Sequence, residues 1–180
     1  MVATVARDPL IVASAQIDTM LDVEPIEDGA DIGWADANKA FTSEIHAERR
    51  DTRQRREMID HWLLSDLRHE LVEEAAATGV TADAFRLWWP TAAATLGTLP
   101  SVGIYRQMMH ERHLNPKTTW RLNDLSDMVY LSCAAAYSDV VVCERHMGHM
   151  LRRAAQRLDR RVVVCTSLAE AIDALAGRLN

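Results

Sequence analysis

Residues 123–165 read NDLSDMVYLSCAAAYSDVVVCERHMGHMLRRAAQRLDRRVVVC, and this stretch decides the fold. It holds two short runs rich in valine, 140–143 and 162–165, apolar throughout. A run without polar alternation suits a strand buried on both faces, as in a parallel sheet. Helical segments alternate with these runs: 123–136 with Asn123 as its N-cap, 145–158, and a Ser167-capped helix to 179. Parallel strands need such crossovers. The C-terminal part is therefore predicted as a three-layer α/β unit with a parallel sheet.

The first half reads as helix-rich. From 36–38 to about 77 there is no Gly or Pro, and Ile59, Leu63, Leu67 and Leu71 recur every four positions, which predicts one long helix. Gly79 breaks it, and Thr81 caps a short helix through Trp88 that Pro90 ends. Further helices are expected over 91–96 and 101–112, closed by Gly97, Pro100 and Asn115-Pro116. Segment 18–36 carries seven acids and no Lys or Arg, and Pro25, Gly29 and Gly33 interrupt it. It is predicted to be an acidic loop, a surface for a protein partner or an inhibitory contact. The expected division is an acidic, partly irregular segment over 1–40 and an α/β domain over 41–180.

The length of 180 residues allows one domain with a sizeable core. At 48% hydrophobic and 26% charged, the chain is neither disordered nor fibrous in class. The net charge of −6 is unevenly spread: residues 1–100 hold 18 acids and 9 bases, and 101–180 hold 8 acids and 11 bases. An acidic total therefore does not exclude a phosphate-binding surface in the second part. No run approaches 18 apolar residues, so no membrane helix is expected. Arg7, Asp8 and Pro9 interrupt the N-terminal apolar stretch, which argues against a signal peptide. Cys133, Cys143 and Cys165 lie in apolar runs and read as buried, reduced thiols of a cytoplasmic protein.

Asp124 and Asp127 stand three apart in the first turn of a helix, on one face. First-turn acids also complement the helix dipole, which is the simpler account of either one. The rest of that helix is apolar nearly all round, so the acids stand at the mouth of a buried element. Carboxylates in such a place need a cation or a base. A helix that feeds a parallel strand through a tight turn runs antiparallel to it. Its N-terminus therefore lies near the strand's C-terminal end, where Glu144 sits and where α/β sheets form sites. Asp139 is at the other end of the strand, roughly 16 Å away, and is excluded. Three convergent carboxylates suit Mg²⁺ or Mn²⁺, which can activate water and steady a phosphodiester.

The run LNDLSDMVYLSCAAAYSDVVVCERHMGHMLRRA resembles the C-terminal half of PIN-like domains, a family of metal-dependent ribonucleases. The shared pattern is an Asn-Asp-x-x-Asp helix start, a small-residue helix, a Tyr-x-Asp turn and an apolar strand. It is specific over 123–154 and extends loosely to LPSVGIYRQMMHERHLNPKTTW at 99–120. The resemblance implies a PIN-like fold and cleavage of RNA with Mg²⁺ or Mn²⁺. It puts the third acidic ligand on Asp127, with Asp124 as neighbour, and the fourth on Glu144. The family's Thr-Asp is Cys143-Glu144 here, which keeps a carboxylate and loses a hydroxyl. The family also opens with a strand ending in Asp. PLIVASAQIDTM at 9–20 contains Asp18-Thr19 and fits either that strand or the later one carrying the second acid, the opening strand then being absent. Glu70 in RHELVEE is the other reading of the second acid. An incomplete set implies a catalytically silent module that binds RNA or protein, and a phosphatase or DNA nuclease is the weaker alternative on the same fold.

Other residues bear on RNA. Arg152, Arg153, Arg157, Arg160 and Arg161 cluster on the penultimate helix and its exit, with only Asp159 among them. Arg145, Arg152, Arg153 and His149 are candidates to guide phosphates toward the acids. Arg49, Arg53 and Arg56 are interleaved with acids and read as a solvated face. Trp62, Trp88 and Trp89 are read as core, and Trp120 as a candidate for base stacking. His110 and His113 are three apart, as are Cys143, His146 and His149. Neither set has zinc-site spacing, and the histidines are expected at the surface or half-buried. Homodimerisation is compatible with all of this.

Overall fold

α1 (Ala30–Ala47) opens the described part of the computed structural model, which covers residues 30–179. The expectations for Asp18, for the strand at 9–20 and for the acidic segment up to 29 lie outside these residues. Residues 30–36 belong to α1 and not to a loop, a correction to the reading of 18–36. The reason is a helical stripe that outweighs Gly33: Ala35, Asn38, Phe41, Thr42 and Ile45 are all buried.

The expected long helix is three helices. α2 (Thr52–Asp66) starts at a capping box, in which the Gln54 N–H donates to Asp51 Oδ1 at 2.8 Å and the Asp51 N–H donates to Gln54 Oε1 at 3.0 Å. α3 (Arg68–Ala77) follows a break at Leu67. It ends on Gly79, whose φ of 75° suits glycine, while the Val80 N–H donates to Ala75 O at 2.8 Å. α4 (Ala82–Trp88) is capped by Thr81, a 3₁₀ turn covers Trp89–Thr91, and α5 (Ala92–Leu96) follows.

α6 (Pro100–His113) is the hub. It packs on α7 (Asp124–Tyr137), on α8 (Arg145–Arg157) and on α2. Its first turn passes under the Gly97 carbonyl, where a Cβ on Gly103 would lie 2.4 Å from Gly97 O. Gly103→Ala is therefore expected to destabilise by about 1–3 kcal/mol or more, because a backbone carbonyl must move. Gly33→Ala, in open space within α1, should instead gain about 0.5–1 kcal/mol. Urea midpoints that moved the same way for both would contradict this.

β1 (Val140–Val142) and β2 (Val163–Cys165) pair in parallel, Val140 with Val163 and Val142 with Cys165, with α8 as the crossover. α9 (Leu168–Leu179) packs on both strands. Its start joins Ser167, which accepts from the Glu170 N–H at 3.2 Å, to Glu170, which accepts from the Thr166 N–H at 2.7 Å. The described chain is thus mostly helical, with a small two-stranded parallel sheet. Val142 and Val163 are partly exposed, which corrects the expectation of burial on both faces: among the described residues each strand has one neighbour. No described helix is long and apolar enough to cross a membrane.

Five methionines, Met108, Met109, Met128, Met147 and Met150, are buried in the core between α6, α7 and α8, with Ile104, Leu151 and Ala154. Unbranched side chains fill the irregular gaps where three helices cross.

Candidate functional site

The start of α7 is fastened differently from the sequence reading. Asn123 makes no side-chain capping bond. Asp124 acts instead: its Oδ2 accepts from the Arg121 N–H at 2.6 Å and from Arg112 Nη2. Asp124 is 4% exposed and Arg112 is 2% exposed, so this is a buried ion pair. Arg112 Nη2 also donates to Thr119 O, and its guanidinium carbon stands 4.3 Å from the centre of the Trp120 ring.

Asp127, one turn on, is half-buried, and Asn123 Nδ2 donates to its Oδ2 at 3.4 Å. Its carboxyl titrates above the usual range, first through burial and then through the negative charges of Glu144 and Asp124. Glu144 leads into α8, is exposed, and makes no side-chain capping bond. The three acids therefore share one electrostatic neighbourhood, with Asp124 already neutralised by Arg112. Glu70 is exposed on α3 and acts on Asp66, not on Asp127. Among the described residues, no group of three or more His, Cys, Asp or Glu side chains is arranged to enclose a metal. Mg²⁺ is commonly held by only one or two carboxylates, keeping several waters. Asp127 and Glu144 are two carboxylates in one electrostatic neighbourhood.

The basic residues divide. Arg145 is exposed at the start of α8. Arg152 donates from Nε and Nη2 to Val164 O at 3.1 and 2.9 Å, tying α8 to β2. Arg153 and Arg157 share Glu111, at 3.2 and 2.8 Å. The Trp120 ring is engaged internally: its Nε1 donates to Thr42 Oγ1 at 2.9 Å, and its edge meets Trp34.

The histidines of α6 are buried, which corrects the surface reading. His113 bonds Asn38 Oδ1 through Nε2 at 3.0 Å and Thr42 Oγ1 through Nδ1 at 2.8 Å. Asn38 Oδ1 can only accept, so Nε2 carries a proton, and the Thr42 hydroxyl, which also donates to Asn38 O at 2.7 Å, stands against Nδ1. Burial, then the charge of Arg112, holds the His113 pKa at about 3. His110 Nε2 donates to Asp60 Oδ1 at 2.8 Å, and its Nδ1 accepts from Arg56 at 2.9 Å. Asp60 also accepts a two-pronged Arg106 fork at 2.6 Å on each oxygen. Burial alone would raise the Asp60 pKa, but the hydrogen bonds from His110 and Arg106 bring it to about 2.

Sequence reasoning missed Arg112, Glu111 and Asp60. One signal was available for Arg112, which continues the buried line of Ile104 and Met108 at steps of four. Compared with protein-family models, with curated proteins and with solved structures, the chain has no match, so the geometry alone carries the functional reading.

Proposed function

We propose that this chain is a PIN-like ribonuclease that depends on a divalent cation, with Asp127 and Glu144 as its acidic centre. The observation that supports this best is the raised Asp127 carboxyl, pushed up by burial and by the charge of Glu144 beside the C-terminal end of β1. Holding like charges together is unfavourable unless a cation offsets it. Asp127 and Glu144 would hold Mg²⁺ or Mn²⁺, which when bound supplies a more acidic water and charge stabilisation at a phosphodiester. The protein's own contributions are positional. Asp124, through Arg112 and the Arg121 N–H, fixes the first turn of α7 and hence presents Asp127. Glu144 keeps its carboxylate uncommitted to its own helix.

Asp127→Asn is expected to lower Mn²⁺-dependent cleavage of single-stranded RNA by at least about a hundredfold, the upper range seen for metal-site support residues. Thermal unfolding should be little changed, and added Mn²⁺ should stabilise the wild type but not the variant. Unaltered cleavage by the variant would refute the reading. A silent module that binds RNA is the second reading, favoured by the Arg112–Asp124 pairing, which removes one carboxylate from the set. RNA binding without cleavage in Mn²⁺ would select it.

A further inference from the structure

A second polar site includes Arg112, the partner of Asp124. Between α2, α6 and α8 a cavity of about 400 Å³ is lined by Arg56, Arg112, Arg153 and Arg157, with Glu111 among them. Arg56, Arg112 and Arg153 come from three different helices. Arg112 is the informative member. Its Nε and Nη1 are buried and have no hydrogen-bond partner among the described residues, and the residue as a whole is 2% exposed. Buried donors without a partner are costly, and these belong to a residue that lines the cavity.

The charges point the same way. Arg56 has a lowered pKa, through burial and then the positive charge of Arg157. Four arginines face two neutralising carboxylates, Glu111 and, through Arg112, Asp124. Two positive charges remain. A phosphate monoester carries about −1.5 to −2 at neutral pH and three acceptor oxygens, whereas a diester inside a strand lacks the second charge. Guanidinium forks suit those oxygens. The Thr52 and Thr118 side chains on the same wall add hydroxyl donors.

We infer that this cavity binds a phosphate monoester group, carried by the end of an RNA strand or by a free nucleotide. The cavity shares Arg112 with the start of α7 but is lined by neither Asp127 nor Glu144, so its test is run in EDTA, where no cleavage occurs. The probes are a short single-stranded oligoribonucleotide, labelled at its 3′ end, with either a 5′-phosphate or a 5′-hydroxyl, and AMP as competitor, all at one fixed salt concentration. The 5′-phosphate form should bind at least about tenfold more tightly. Arg153→Ala and Arg157→Ala, both on a half-exposed rim, should abolish that preference. Glu111→Gln should strengthen it, which no general loss of structure would do. Arg86→Ala, on α4, should leave it intact. Competition by AMP assigns the site to free nucleotides, and a phosphate preference that AMP cannot compete assigns it to RNA ends. Equal affinity for the two oligonucleotides with no AMP binding, or a preference that persists in the Arg153→Ala/Arg157→Ala double variant, would overturn the inference. Neither result bears on the Asp127→Asn cleavage assay.

Discussion

Arg112→Met is expected to destabilise the protein by about 3–5 kcal/mol, the range for removing one partner of a buried ion pair. The loss has a specific origin. Asp124 would remain 4% exposed, with only the Arg121 N–H to offset its charge. Trp120 would lose the cation over its ring, a smaller effect of about 1 kcal/mol. The double variant Arg112→Met/Asp124→Leu should recover much of the stability, because it removes both charges together. Urea unfolding with unchanged m-values measures all three proteins. A change below about 1 kcal/mol in the single variant would mean that the pair is solvated in solution, contrary to its burial here.

Acid should unfold the protein through His113 before the surface carboxylates matter. The folded state holds His113 at about 3, against an ordinary value of 6.5. The unfolded chain therefore takes up this proton first as the pH falls. The stabilisation is complete above about pH 6.5 and is lost progressively toward pH 3, amounting to roughly 5 kcal/mol over the whole window. Asp60 adds a second loss at lower pH: its pKa of about 2 lies below the ordinary 3.8, so its contribution fades as the pH falls from about 4 to 2. Urea midpoints between pH 7 and 4 should decline steeply in the wild type and much less in His113→Gln. A flat wild-type profile over that interval would show that His113 is protonated in the folded state.

What could be read from the sequence was local. The valine runs, the Thr81 and Ser167 caps, and the helix over 100–113 depend on neighbours within a few positions. That the charge of Glu144 acts on Asp127 also follows from local rules, since the two-residue turn at Ser138-Asp139 joins α7 to β1. The missed break in the presumed helix over 36–77 was legible in principle, because Asp51-Thr-Arg-Gln54 has capping-box spacing. The buried polar network was not legible. His113 finds Asn38 75 positions away and Thr42 71 away, and His110 finds Arg56 54 away. No periodicity encodes such pairings. Arg56 looked like part of a solvated face because Glu48, Asp51 and Glu57 are interleaved with Arg49, Arg53 and Arg56, and only the packing of α2 on α6 turns it inward.

The methionine-filled core has a chemical corollary. Thioethers pack as soft hydrocarbon only while unoxidised, and conversion to sulfoxide makes each one polar and branched at sulfur. Met108, Met109 and Met128 have no exposed surface, so peroxide can reach them only when α6 and α7 part. An oxidised core cannot close again with the same fit, so each opening in an oxidant makes the next one easier. The same plastic side chains that fill the crossing of three helices thus tie the lifetime of this fold to the redox state around it.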